Sequence, residues 1–138
     1  MTWYAAHLIM YVKLKAGEQK RFTVWENVVL LRAASDEEAL AKAERRARED
    51  EGDDDGSFRW GGHPATWVFA GVRKLVTCAD PDVRPDDGME ITYIEMELPS
   101  LNSVRRLAQG HEVTVRLSDE SYSEEEAELP EPEPSAAQ

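Results

Sequence analysis

Side chains able to do chemistry are sparse in this chain, and their spacing decides what they can do together. Three histidines (His7, His63 and His111) and one cysteine, Cys78, are the soft metal ligands and the candidates for nucleophile and base. No two of them stand at the short intervals of ordinary zinc sites, so no metal centre is expected. A thiolate–imidazole pair meets the same objection, because nothing in the sequence brings Cys78 beside a histidine. Neither a P-loop, a glycine-rich dinucleotide fingerprint nor a nucleophile elbow is present. The acidic run at residues 51–55 invites a calcium-loop reading. With Gly56 as the loop glycine, Glu51, Asp53 and Asp55 take the first, third and fifth positions. The twelfth then falls on Gly62, where a bidentate Glu is needed, and the ninth on Arg59. The EF-hand reading fails, and no cofactor and no catalytic residue are assigned.

Recognition is better supported than catalysis. In Arg59-Trp60-Gly61-Gly62-His63-Pro64 a Trp and an Arg flank two glycines, a composition suited to a mobile recognition loop. Its members Arg59, Trp60 and His63, with the acids Asp53, Asp54 and Asp55 just before them, are the candidate partner-binding residues. Trp3, Trp25 and Trp67 fall inside strand patterns and are expected in the core. Arg45, Arg46, Arg48, Arg73, Lys74, Arg105 and Arg106 are interleaved with acids and read as a solvated surface.

The charge is unevenly distributed. Of the 28 acids, Asp119, Glu120, Glu124, Glu125, Glu126, Glu128, Glu131 and Glu133 lie in residues 118–138, which hold no Lys or Arg. The rest of the chain therefore carries only −4 of the net −12. Nucleic acid is a poor partner for such a surface, since phosphate binding needs a basic patch. A lone cysteine fits a reducing compartment. The apolar run at the N-terminus is cut short by Lys13 and Lys15, so neither a signal peptide nor a membrane span is expected. The expectation is a cytoplasmic, soluble protein without membrane contact.

The elements that must position these residues follow from periodicity. Residues 3–15 alternate, with Tyr4, Ala6, Leu8, Met10, Val12 and Leu14 on one face and His7 on the other. A second strand is expected over 20–33, with a bulge at Glu26-Asn27 where the alternation breaks. Residues 35–52 form a helix opened by a capping box, Ser35 and Glu38, with an apolar stripe of Leu40, Ala43 and Ala47 beside Ala39. Glu38–Lys42 and Glu44–Arg48 are i,i+4 pairs along it. The end of this helix collects Glu49, Asp50 and Glu51 against its dipole and is expected to fray. Strands are expected over 65–78, 89–98 and 111–117, with a short helix from Leu101 to Ala108 between the last two. The order ββαββαβ predicts an α+β domain over 1–117: a mostly antiparallel sheet of about five strands with the long helix packed on one face. Residues 118–138 read as a disordered Glu/Pro-rich tail.

Several stretches carry a family resemblance. They are Trp3-Tyr4-Ala5, Ser35-Asp36-Glu37-Glu38-Ala39, Trp67-Val68-Phe69-Ala70-Gly71-Val72, Gly88-Met89-Glu90-Ile91 and Leu107-Ala108-Gln109-Gly110-His111-Glu112-Val113. In this order they resemble a family of small bacterial proteins known only as a domain of unknown function (number 4288), over residues 3–117. The resemblance implies a single bacterial cytoplasmic domain and no activity, cofactor or catalytic residue.

The functional expectation is a non-enzymatic protein-binding module, of inhibitor, immunity-type or adaptor role, that uses an acidic surface. The alternatives are a ligand-binding or catalytic domain with a cleft near His63 and Cys78, and an acidic decoy for nucleic-acid-binding proteins. Homodimerisation by strand pairing is open.

Overall fold

A computed structural model describes residues 1–119; the tail expected from the sequence lies outside them from Glu120 onward. The elements are β1 (Thr2–Leu14), β2 (Val24–Ala33), α1 (Asp36–Glu49), β3 (Arg59–Trp60), β4 (His63–Thr77), β5 (Met96–Glu97), α2 (Leu101–Ala108) and β6 (Arg116–Leu117). The protein is α+β: a four-stranded antiparallel sheet in the order β2-β1-β4-β3, and a separate β5-β6 pair.

The core forms because β1 alternates beneath a helix whose buried stripe is alanine. Ala6, Leu8 and Met10 meet Ala43 and Ala47, and Val29, Leu31, Trp67, Phe69, Val72 and Leu75 close the cluster from β2 and β4. Ala39, Ala43 and Ala47 are fully buried. Side chains this small let α1 lie close to the sheet. Ser35 Oγ accepts from the Glu38 N–H at 3.1 Å, and the Tyr4 hydroxyl donates to Asp36 at 2.9 Å, so the helix start is fixed to the sheet. Of the two expected helix pairs, Glu38–Lys42 stands at 3.5 Å, whereas Arg48 turns to Glu51.

β2 pairs with β1 in unbroken register from Thr2↔Ala33 to Tyr11↔Val24. The expected bulge at Glu26-Asn27 is not there; Glu26 interrupts the apolar pattern because it faces buried polar partners. The irregularities are in β4, where register against β1 shifts between His7 and Leu8 and again between Ile9 and Met10. The residues passed over are Arg73 and Ala70. Each bulge resets the alternation, so the core-facing residues run Trp67, Phe69, Val72, Leu75.

The expected strand over 89–98 is a ladder only at Met96–Glu97, and that over 111–117 only at Arg116–Leu117. Residues 89–95 instead cross the sheet face opposite α1, where the Thr92 hydroxyl, the Tyr93 carbonyl and the Glu95 N–H bond to side chains rather than to a neighbouring strand. α2 spans the residues expected and is capped by Ser100, but Leu101, Val104 and Leu107 remain exposed.

Candidate functional site

The candidate residues lie where α1 ends and the chain returns to the sheet. Gly52 donates to and accepts from Trp67 at 3.1 and 2.8 Å, which lays the chain back along β4. Asp53 then organises a turn: its carbonyl accepts from the Gly56 and Phe58 N–H groups, and its Oδ1 accepts from Gly56 N–H at 3.0 Å. Asp54 and Asp55 take the left-handed conformation, at φ 53° and 56°, which Asp tolerates better than most residues. After it, Arg59↔Pro64 and Trp60↔His63 pair across Gly61-Gly62. Both glycines have positive φ, 58° and 82°, as a two-residue hairpin turn of the I′ type requires. The stretch read as a mobile loop is a tight hairpin.

Trp67 is the centre of the site. Trp25 lies 4.7 Å from it, Phe58 5.9 Å and Trp60 6.3 Å, between ring centroids. This corrects the placing of Trp25 in the core, because Trp25 is 50% exposed; Trp67 is half-buried and packs against the core cluster as expected, with its outer side facing this site. Trp60 is 39% exposed. Trp25 and Trp67 flank a notch of about 280 Å³ with Met10, Asn27 and Asp50. On the other side, Trp67 borders an open groove of about 560 Å³ lined by residues 49–55. Asp53, Asp54 and Asp55 therefore share one surface with the aromatic cluster, which also holds Trp60. Arg59 and His63 are on the exposed hairpin and do not line this groove.

Several of the acids at this end are partnered. Asp53 pairs with Lys15, Asp50 with Arg46 at 2.9 Å, and Glu51 with Arg48 at 3.0 Å. Glu51 also accepts the Phe69 N–H at 2.8 Å. That N–H, seconded by Arg48, holds the Glu51 carboxyl below its usual range; Lys15 does the same for Asp53. The expected conflict with the helix dipole is thus answered by arginines of the last turns, Arg46 and Arg48, and by two partners distant in sequence, Lys15 and the Phe69 N–H. The surface keeps its negative charge at neutral pH.

A second polar cluster was missed. Arg73 and Lys74, read as solvated, occupy the face opposite α1 around the fully buried His7. His7 Nδ1 lies 2.5 Å from Glu26 and Nε2 lies 2.6 Å from the Thr92 hydroxyl. Arg73 donates twice to Glu26, at 2.9 and 2.7 Å. Glu26 is therefore ionised and acceptor-only, so Nδ1 carries the proton and, in the neutral ring, Nε2 accepts from Thr92. Burial pushes Glu26 up, but the bonds from Arg73 and His7 outweigh it and leave the carboxyl below its usual range. The bulge at Arg73 lets it and Lys74 both reach Asp119, at 2.9 and 3.0 Å. Asp119 also accepts the Glu95 N–H at 2.7 Å, and Lys74 donates to the Tyr93 carbonyl. Ser118 and Asp119, assigned by sequence to the tail, are thus held by the fold. The order Thr92–His7–Glu26 has the polarity of an acyl-transfer triad, but a ring with no exposed edge serves here to clamp residues 92–95 onto the sheet. The sequence signals of this cluster are Arg73-Lys74 inside a largely apolar strand and the break in alternation at Glu26.

His63 and Cys78 do not meet. They stand at opposite ends of the fifteen-residue β4, roughly 45–50 Å of extended chain apart. Cys78 is buried, and burial raises its thiol pKa. No shared cleft exists between them.

Fold and site together define a small α+β domain with one acidic, aromatic end. The chain belongs to the family described as domain of unknown function DUF4288, whose model matches residues 3–93. That span takes in the sheet, α1 and Thr92, and stops short of α2. Comparison with curated proteins and with solved structures found no match. No helix among the described residues is long and apolar enough to cross a membrane.

Proposed function

We propose that this protein is a binding module that docks a basic segment of another protein on its acidic, aromatic end, in an inhibitor, immunity-type or adaptor role. One observation carries the reading: Trp67 borders both the notch beside Trp25 and the acidic groove of residues 49–55, so aromatic and anionic surface are continuous. Such a surface suits guanidinium and ammonium groups, which stack on indole faces while carboxylates neutralise them. Trp and Arg side chains are the usual anchors of such contacts, and Trp60 stands exposed at the rim. The test is titration with an Arg/Lys-rich peptide, followed by tryptophan fluorescence, against the same peptide with its basic residues replaced by Gln. Binding should weaken with salt and fall at least tenfold in Trp60→Ala. Equal affinity for both peptides overturns the reading.

A further inference from the structure

β2 forms one edge of the main sheet, and its free side has an internal symmetry. The Val12 N–H donates to the Thr23 carbonyl, so in this regular ladder the odd-numbered residues of β2 turn their backbone to β1 and the even-numbered ones turn outward. The Arg32 carbonyl, which accepts from Lys42, is outward as this predicts. Edges of this kind are normally blunted by Pro, Lys, a bulge or extreme shortness. β2 has none of these over ten residues, and Lys42 of α1 reaches its outer side at one end, on the Arg32 carbonyl, which has a second lone pair to offer a neighbouring strand; the β3 edge is only two residues long. Val24 and Trp25 are about half exposed, and Val28 and Leu30 are each 41% exposed.

The even-numbered side chains on the face opposite α1 run Glu26, Val28, Leu30, Arg32. Read backwards, that pattern is its own complement. We infer that β2 pairs antiparallel with β2 of a second copy of this chain, with Val29 on the two-fold axis. In that register Glu26 stands opposite Arg32 of the second copy and Val28 opposite its Leu30. All four are outward-facing residues, so they form hydrogen-bonded pairs with about eight new backbone bonds. A register shifted by two residues sets Glu26 against Leu30 and loses the charge match, while Val28 meets Val28. Charge and apolar complementarity thus select one occupant, a second copy. The result is one continuous sheet with both α1 helices on the same side, and each copy keeps its acidic, aromatic end.

Sedimentation of the full chain is the first test, with a mass twice the 15.6 kDa of one chain expected on concentration. Val28→Lys sets a charge against an apolar partner twice per dimer and should weaken association by at least about tenfold. Leu30→Pro removes an outward N–H that no strand among the described residues uses, and should give a folded monomer by circular dichroism. Val29→Cys in a Cys78→Ala background should form an interchain disulfide on mild oxidation, because axial non-hydrogen-bonded positions lie within disulfide reach. A monomer at millimolar concentration overturns the inference. So does a dimer indifferent to Val28→Lys that yields no Val29→Cys cross-link. Dimerisation only after removal of residues 120–138 overturns it as well, since the tail would then be the occupant of the edge.

Discussion

The Asp119 carboxylate stands 3.0 Å from the Lys74 ammonium, across 45 residues of chain. Its side chain is only 2% exposed, and its other oxygen takes Arg73. This contact closes the crossing segment against the sheet: Ser118 N–H bonds the Glu95 carbonyl, and Asp119 bonds the Glu95 N–H. Asp119→Asn removes the charge that buried Lys74 and part-buried Arg73 share and is expected to cost about 2–3 kcal/mol. Urea unfolding measures the loss, and amide exchange at Glu95 should accelerate with it.

The same group makes stability depend on acid. Burial raises the Asp119 pKa, but the Glu95 N–H, Lys74 and Arg73 together bring it down from 3.8 to about 2. A carboxyl depressed on folding contributes stability that is present above its unfolded value and lost as pH falls through its folded value. Up to roughly 2 kcal/mol should therefore disappear between about pH 4 and pH 2. Glu26, also depressed, adds in the same direction. Denaturation midpoints at pH 5 and pH 2.5 should differ more in the native protein than in Asp119→Asn.

How much of this was legible follows from where each group finds its partner. β1 and α1 declare themselves because their partners are periodic or local: thirteen alternating residues, and a serine three residues before the amide it caps. The crossing segment was misread as a strand because its bonds go to His7, Lys74 and Asp119, none of them near in sequence. The β4 bulges left a trace in the spacing of Trp67, Phe69, Val72 and Leu75, which is not period two. Alternation alone could not say that Arg73 and Lys74 would share a face. The aromatic end was half legible. The sequence singles out Asp53, Asp54, Asp55 and Trp60, but it places Trp25 in the core because strand position does not reveal which sheet end a helix leaves uncovered.

His7 holds the opposite face together through two bonds, to Glu26 and Thr92. His7→Ala leaves a cavity and strands both partners, and should cost about 3–4 kcal/mol. Thr92→Val, nearly isosteric, removes one bond and should cost about 1–2 kcal/mol. If the clamp is the role of this histidine, the double variant will lose little more than His7→Ala alone. A double-mutant cycle by chemical denaturation measures that coupling.

The two ends of α1 provide the last comparison. Its start is held locally, so Ser35→Ala should cost about 1 kcal/mol and speed exchange in the first turn. Its end is also held from outside: Glu51, which pairs locally with Arg48, accepts the Phe69 N–H of β4. Three acids beside the helix C-terminus would otherwise oppose its dipole. Native-state exchange should therefore find the Ala47 and Arg48 amides protected, contrary to what the acidic sequence suggests. Glu51→Gln removes the charge while an amide oxygen remains to accept from Phe69, and should leave that protection largely in place. Glu51→Ala removes the acceptor too and should release the last turn, while Leu40 and Ala43 exchange as before. Equal protection in all three proteins would mean that the Gly52–Trp67 bridge alone fixes the helix end.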